Sequence, residues 1–123
     1  MIPRKNRVPK QYFPVILRNP SRSGVYFRVV VAPEIHKKNN AFSVIIPKKY
    51  AKKAVTRNFF RRTAYGVINE YKDQIPKKTF VFIMQKPINT LGIEKKYDFQ
   101  QQEVVKDIKN LIIQITNNHE KTS

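Results

Sequence analysis

One segment of the chain concentrates the residue types that bind phosphate groups. Residues 47–62 read PKKYAKKAVTRNFFRR, and seven of these 16 residues are Lys or Arg while none is acidic. Arginine matches phosphate oxygens with paired hydrogen bonds, and lysine adds a point charge. Because solvated helix faces usually mix both signs of charge, this one-signed segment predicts contact with nucleic acid. The side chains assigned to that contact are Lys48, Lys49, Lys52, Lys53, Arg57, Asn58, Arg61 and Arg62.

The positive charge is concentrated in the first part of the chain. The 123 residues include 25 Lys and Arg against eight Asp and Glu, a formal net charge of +17. Residues 1–69 carry +15 of this charge and residues 70–123 only +2. An excess of this size attracts polyanions. The chain is too apolar and too regularly patterned for a polybasic membrane tail, and no run approaches the roughly 20 apolar residues of a membrane span. We therefore expect a cytoplasmic protein with no membrane partner.

The acidic and histidine side chains do not suggest an active site. Glu103 and Asp107 are four residues apart on a predicted helix, and we interpret them as a solvated helix face rather than a metal site. His36 and His119 have no Cys or His neighbour at ligand spacing, and the chain contains no Cys. Three Gly residues provide no phosphate-cradling loop. The sequence therefore predicts no catalytic residue and no metal ligand in the protein itself.

The pattern of strand formers is typical of a small α+β domain. β-Branched and aromatic residues predict strands at 25–32, 41–46 and 79–84, with the first two antiparallel to each other. Residues 19–24, which read NPSRSG, have the composition of a loop, and 33–40 that of a polar turn.

Apolar spacing predicts one short helix and two long ones. Residues 11–18 are expected to form a short helix weakened by a proline, and residues from about 51 to 71 a long one. Residues 86–97 are interpreted as a loop, after which Asp98 and Gln101 form a capping box for the last helix. That helix has the cleanest amphipathic pattern in the chain, with apolar residues at 104, 105, 108, 111, 112 and 115.

The chain is expected to form a single domain over residues 1–123, since its length and apolar content suffice for one core. Residues 1–10 are basic and contain two prolines, which predicts an extended arm. Residues 117–123 are interpreted as a polar tail.

Aromatic side chains interleave with the basic ones and suggest stacking on unpaired bases. Strand alternation places Tyr26 and Arg28 on the same face, which makes Tyr26 the best stacking candidate. Phe13 is equally compatible with a core position and with a stacking platform. Phe59 lies off the predicted core face of its helix and is the aromatic residue that fits a core position least well.

The basic segment and its neighbours resemble the bacterial ribonuclease P protein component. The characteristic part of that family is a strand, a Lys-Lys pair, a turn, and a helix that opens A-V-x-R-N-x-x-[KR]-R. The matching residues here are 42–46 for the strand, the pair Lys48-Lys49, and on the helix Ala54, Val55, Arg57, Asn58, Arg61 and Arg62. Further family segments follow the same order along about residues 4–115, namely Lys5-Asn6-Arg7, Tyr12-Phe13, the strand at 80–84 with Gln85-Lys86-Pro87 after it, and the last amphipathic helix.

The resemblance implies both a fold and a function. The family fold is an α+β two-layer sandwich, a small mixed sheet packed on helices in the order αββ(β)αβα, with an unusual left-handed β-α-β crossover. The implied function is that of the non-catalytic protein subunit of a ribonucleoprotein endoribonuclease. Such a subunit binds the catalytic RNA and the 5′ leader of precursor tRNA, and the RNA performs the hydrolysis that frees the mature 5′ end. Mg²⁺ is expected as the cofactor, bound mainly by the partner RNA, and no DNA partner is expected.

The resemblance also assigns residues to the two RNA partners. Arg57, Asn58, Arg61 and Arg62 match the RNA-contacting motif, and Lys48, Lys49 and Arg7 match the other basic elements. Phe13 matches an aromatic residue of the leader cleft, Leu17 stands where a second is usual, and Val30 aligns near a cleft tyrosine. Tyr26 and Arg28 complete the residues predicted to line that cleft. Phe59 departs from the family, which often has Arg at this position.

Three other functions compete with this interpretation. A structural ribosomal protein has a similar basic α+β fold and would bind RNA without any role in cleavage. A stand-alone nuclease would need clustered carboxylates, which the sequence lacks. A DNA-binding module fits least well, because no helix-turn-helix spacing is evident.

Overall fold

The chain folds around one four-stranded mixed sheet. The structure is a computed structural model that describes residues 6–33, 40–87 and 94–122, with side chains for 6–9, 11–33, 40–87 and 101–116. The strands are β1 (Ser21–Ser23), β2 (Phe27–Ala32), β3 (Ala41–Ile45) and β4 (Thr79–Met84). The helices are α1 (Phe13–Ile16), α2 (Ala54–Tyr71) and α3 (Glu94–Thr122), with short 3-10 segments at Lys10–Tyr12 and Lys72–Gln74.

The strand order in the sheet is β1-β2-β4-β3. β4 is antiparallel to β2 and parallel to β3, so β3, α2 and β4 form a β-α-β crossover. All six residues of β4 are buried, because the strand lies in the middle of the sheet and both of its faces are covered. The uninterrupted apolar run TFVFIM is typical of such a strand. The left-handedness of the crossover stays a prediction.

The larger core lies between one face of the sheet and the two long helices. Phe42 and Phe80 stack in neighbouring strands with ring centroids 5.6 Å apart. The helix residues that cover them recur at helical spacing, which is why α2 and α3 each bury one stripe. The buried members on α2 are Phe60, Ala64, Val67 and Ile68, and on α3 Val104, Ile108, Leu111, Ile112 and Ile115.

A smaller core lies on the opposite face of the sheet. It contains the alternate residues of the strands, among them Val30, Ala32, Val81 and Ile83. Val8 and Ile16 cover it, and Phe13 packs at its margin. This face therefore carries only a thin layer made by the N-terminal segment and α1.

Half of the predicted N-terminal arm is part of this layer. Val8 donates its N–H to the Phe42 carbonyl at 3.3 Å, and Arg7 forms an isolated parallel bridge with Phe42. Asn6 is buried, and its Nδ2 donates to the Asn40 carbonyl and to Asn40 Oδ1, both at 2.9 Å. The chain is therefore anchored along the outer edge of β3 from Asn6 onward, and residues 1–5 lie outside the described part.

The α+β class, the order of elements and the three main strands are confirmed. The predicted antiparallel orientation of 41–46 relative to 25–32 is confirmed, although the two strands are not neighbours, because β4 lies between them. The loop interpretation of 19–24 was wrong, since Ser21–Ser23 pairs with β2. The predicted turn at 33–40 lies almost entirely outside the described residues.

Helix boundaries differ from the predictions for local reasons. α2 begins at Ala54 rather than near residue 51, because Tyr50 and Ala51 donate their N–H groups to the Pro47 carbonyl and Lys53 is extended. α3 begins at Glu94, so Asp98 lies inside the helix and is not its N-cap. The same helix continues to Thr122, through most of the predicted polar tail.

Candidate nucleic-acid interface

The turn before α2 displays four lysines. Its backbone is fixed because the Pro47 carbonyl accepts two N–H groups and Ala51 is buried. Lys49 lies over the ring of Tyr50, with Nζ 4.9 Å from the ring centroid. The four ammonium groups therefore extend from a defined backbone into solvent, on the exposed side chains Lys48, Lys49, Lys52 and Lys53.

The start of α2 adds to this positive field. Lys53 is the N-cap and makes no side-chain capping bond, and the first turn contains no acidic residue. The first N–H groups of a helix carry partial positive charge, which acidic residues usually offset. Here lysines surround that end instead, so this region attracts anions.

Arg57 is engaged within the protein. Its Nη1 donates to the carbonyls of Ala51 and Lys52, at 3.0 and 2.9 Å. These bonds tie the lysine-bearing turn to the first turn of α2. Arg61 Nη1 donates to Asn58 Oδ1 at 3.1 Å and so orients the amide. Both arginines are half-buried, whereas Asn58 and Arg62 are exposed on the outer face of the helix.

A shallow cavity of about 160 Å³ lies among side chains of α2. Its lining residues are Asn58, Arg61, Arg62 and Tyr65. The hydroxyl of Tyr65 accepts the N–H of Val44 at 3.1 Å, which joins α2 to β3. The cavity therefore combines guanidinium and amide donors with an aromatic wall, a combination suited to a nucleotide.

Phe59 is used for packing. Its ring is half-buried against the larger core and meets Phe60 edge-to-face, with centroids 5.0 Å apart and an interplanar angle of 89°. Phe59 is therefore not a core member but packs beside the core, as expected for a residue off the core face of its helix. The flank of α2 that it occupies faces α3, where Gln101 Nε2 donates to Thr63 Oγ1 at 3.3 Å.

The residues predicted for a leader cleft divide into two groups. Phe13 is half-buried at the margin of the smaller core, and Arg28 is half-buried on the same face of β2 as Val30. Leu17, directly after α1, is 42% exposed, so all three have surface available. Val30 is 0% exposed and lies inside that core, so the structure contradicts its assignment as a cleft contact. The alternation of β2 turns Val30 toward Ile16 and α1, which explains its burial.

Tyr26 does not occupy the exposed position that was predicted for it. It is 7% exposed and belongs to the larger core, whereas Arg28 alternates with Phe27 and Val29 and lies on the other face. The predicted shared face with Arg28 was wrong because β2 begins only at Phe27, and Tyr26 belongs to the preceding turn. Its hydroxyl donates to Glu103 Oε2 at 2.5 Å, and Lys86 Nζ lies 5.1 Å from its ring centroid. The ring is therefore not an open stacking platform.

Asp107 is the structural residue that the sequence interpretation missed. Its carboxylate is 5% exposed and accepts three consecutive backbone N–H groups, from Val25 at 2.7 Å and from Tyr26 and Phe27 at 2.9 Å each. A Cβ at Gly24 would stand 2.3 Å from Asp107 Oδ1, so only glycine allows this approach. The turn before β2 is thereby fixed to α3. The expectation of a solvated Glu103–Asp107 face was wrong, and an Asp beside the apolar stripe of Val104 and Leu111 was the available signal.

The bond between Tyr26 and Glu103 predicts a pH effect on stability. The hydrogen bond to Glu103, burial, and the negative charges of Glu103 and Asp107 together raise the pKa of Tyr26 to about 12. The ordinary pKa of tyrosine is about 10, so the unfolded chain loses this proton first as pH rises. The stabilisation is therefore complete below about pH 10 and is lost as the pH approaches about 12. Urea unfolding across this range should show a steeper loss in the wild type than in Tyr26→Phe; parallel curves would contradict the assignment.

Helix hydropathy and the placement of acidic and histidine side chains bear on the class of protein. No helix within the described part of the chain has both the length and the hydropathy of a membrane span. The described residues also contain no group of three or more His, Cys, Asp or Glu side chains able to hold a metal ion.

The fold and the one-sided basic surface around α2 define a compact α+β RNA-binding protein. The chain belongs to the ribonuclease P protein family, since the family model described as Ribonuclease P matches residues 2–116. It is accordingly a tRNA-processing subunit of an endoribonuclease, associated with RNA.

Solved structures agree on the fold. The ribonuclease P protein of Thermotoga maritima is 22% identical, with a TM-score of 0.69 over 89% of this chain and 96% of that one. Two structures from Staphylococcus aureus are 18% and 20% identical, with TM-scores of 0.71 and 0.69. The first covers 86% of this chain and 91% of its own, and the second covers 94% of both. No curated protein matches the chain.

Proposed function

We propose that this subunit binds the catalytic RNA of ribonuclease P through the lysine turn and the outer face of α2, while the RNA performs the chemistry. The observation that carries the proposal is the set of four exposed lysines around an uncapped helix start, continued by the exposed side chains of Asn58 and Arg62. The two half-buried arginines hold this surface in shape. Arg57 supports the turn, and Arg61 orients the amide.

The physical task of the surface is to reduce repulsion between polyanions. Catalytic RNA and precursor tRNA both carry one charge per phosphate, and lysines that neutralise phosphates release counterions, which favours assembly. Mg²⁺ supplies charge neutralisation and activation of the attacking water when RNA holds it. The described residues offer no ligand set for that ion, so the protein's contribution in this proposal is fixed positive charge. The proposed site of action is the cytoplasm.

The proposed path of the 5′ leader is the thin face of the sheet beside α1. Phe13 offers part of its ring there, Leu17 adds exposed apolar surface, and Arg28 adds a cation. Unpaired bases stack on such rings, and guanidinium groups contact their phosphates. Tyr26 and Val30, which are buried, have no part in this proposal.

Replacing Phe13 by Ala tests the leader path. We expect cleavage of precursor tRNA with a leader of several nucleotides to require about tenfold more protein, since stacking contributes about 1–3 kcal/mol per base. A substrate with a one-nucleotide leader should be affected little. Val15→Ala is the matched control, because Val15 is 65% exposed in the same short helix. Equal losses for the two substrates would remove Phe13 from the leader path.

Competition binding tests the proposal against a structural role in the ribosome. Labelled catalytic RNA bound to the protein should resist displacement by a ribosomal RNA fragment of equal length at equal concentration. Unlabelled catalytic RNA should displace it. Equal displacement by the two competitors would contradict a dedicated ribonuclease P interface and favour general RNA binding.

A further inference from the structure

Gly66 lies in the middle of α2, at a position where the packing of the described residues does not require a glycine. Its helix runs from Ala54 to Tyr71, and glycine in a helix interior costs about 1 kcal/mol relative to alanine. Apart from its two chain neighbours and the nearby backbone of its own helix, no atom of the described residues lies within 4 Å of the place that a Cβ would occupy, and the backbone is not left-handed. Neither close packing nor conformation within the described protein therefore requires glycine here. Gly24, which Asp107 approaches closely, shows what such a requirement looks like.

The position of Gly66 on the helix is informative. Asn58, Arg62, Gly66 and Asn69 follow one another at spacings of four, four and three residues, so they form one stripe on the outer face. All four residues are exposed. Tyr65, the neighbour of Gly66, turns toward β3. The stripe therefore begins with the hydrogen-bond donors of Asn58 and Arg62, and at Gly66 the helix backbone is exposed with no side chain over it.

The charge around the first three members of this stripe favours an anionic occupant. The sequence contains no acidic residue between Glu34 and Glu70, so Asn58, Arg62 and Gly66 lie within the acid-free part of the chain. Glu70 is exposed one helical turn beyond Gly66, so an anionic strand would leave the helix there. Gly66 lies eight positions after Asn58 in the chain, which corresponds to about 12 Å along the helix axis. This length and charge suit a strand that carries regularly spaced phosphates.

We infer that the sugar–phosphate backbone of the catalytic RNA runs along α2 past Asn58 and Arg62 and packs directly against the helix backbone at Gly66. The inference rests on the proposed function and extends it by two helical turns beyond the Arg57-Asn58 motif. Glycine is the residue that lets another backbone approach most closely. The absent side chain is then part of the binding surface, and its cost in stability is offset when RNA binds.

The inference predicts that stability and binding change in opposite directions in Gly66→Ala. The melting temperature should rise by about 3–6 °C, the shift expected for about 1 kcal/mol of helix propensity. Affinity for the catalytic RNA should fall about tenfold, because one added methyl group overpacks a close contact. Gly66→Gln, which is larger and also neutral, should weaken binding further. General damage to the fold cannot produce this combination, since it would lower the melting temperature.

Asn110→Ala on α3 is the matched control. Asn110 is exposed on the other long helix, so the change should raise the melting temperature without altering RNA affinity. Each variant is titrated with catalytic RNA and separately with precursor tRNA. Unchanged or tighter binding of catalytic RNA by Gly66→Ala, or a loss confined to precursor tRNA, would overturn the inference. If the wild type itself shows no preference for catalytic RNA over a ribosomal RNA fragment, the proposed function fails first.

Discussion

Replacing Asp107 by Asn is expected to lower the free energy of unfolding by about 3 kcal/mol, because a buried donor left without its acceptor costs about 1–3 kcal/mol. The carboxylate accepts the N–H groups of Val25, Tyr26 and Phe27 with two oxygens. An amide of the same shape has one oxygen and turns its NH₂ group toward at least one of those donors. A loss of this size is a large fraction of the stability of a small domain.

Urea unfolding with Glu103→Gln as the control measures this effect. Glu103 accepts the hydroxyl of Tyr26, and the amide oxygen of Gln can accept the same bond, so we expect that variant to lose less than about 1 kcal/mol. A midpoint for Asp107→Asn equal to that of Glu103→Gln would show that Asp107 does not hold the turn before β2 against α3.

Replacing all four lysines of the turn before α2 by Gln is expected to weaken binding of catalytic RNA about a hundredfold near physiological salt. The slope of log affinity against log salt should flatten by about three units, since each phosphate neutralised contributes about 0.7–0.9. The four side chains are Lys48, Lys49, Lys52 and Lys53, all exposed on a turn closed at Pro47. The charge contact found for these lysines within the described residues is that of Lys49 with the ring of Tyr50, which is weak at an exposed site, so the melting temperature should change little.

A pair of lysines elsewhere controls for net charge alone. Lys77 and Lys78 are also adjacent and exposed, but they lie before β4 in the half of the chain that carries only +2. Lys52→Gln with Lys53→Gln should reduce the salt slope by one to two units (about 0.7–0.9 per phosphate contact), and Lys77→Gln with Lys78→Gln should leave it almost unchanged. Equal effects of the two double variants would mean that the protein attracts RNA by net charge and has no defined surface.

Many helices and strands could be predicted from hydrophobic periodicity, and the wrong predictions have specific structural causes. The apolar stripes of α2 and α3 and the continuous run TFVFIM gave correct elements, because burial on one face or on both imposes these patterns. The order of the strands in the sheet could not be predicted from the sequence. Strand pairing depends on how α2 returns the chain into the sheet, which placed β4 between β2 and β3. β1 is only three exposed residues long, so no hydrophobic pattern marks it.

The basic surface was easier to predict than the individual role of each residue. A run of like charge identifies an interface, but composition does not say which guanidinium groups bond to the protein's own carbonyls, as Arg57 does. Tyr26 misled the alternation argument because Asp107, 81 residues away, fixes the turn that carries it. Contacts between residues so far apart in the chain cannot be predicted from local sequence patterns. Gly24 and Asp107, an acidic residue beside the apolar stripe of α3, were the two sequence features that pointed to this contact.

The role of this protein as a subunit that assists an RNA catalyst is tested by cleavage of labelled precursor tRNA at low Mg²⁺ concentration. The three reactions contain this protein alone, the catalytic RNA alone, and both together. We expect cleavage at the mature 5′ end in the mixture, little with RNA alone, and none with protein alone. Cleavage by the protein alone would contradict the assignment of the chemistry to RNA, and a mixture no faster than RNA alone would contradict its role as the subunit that assists cleavage.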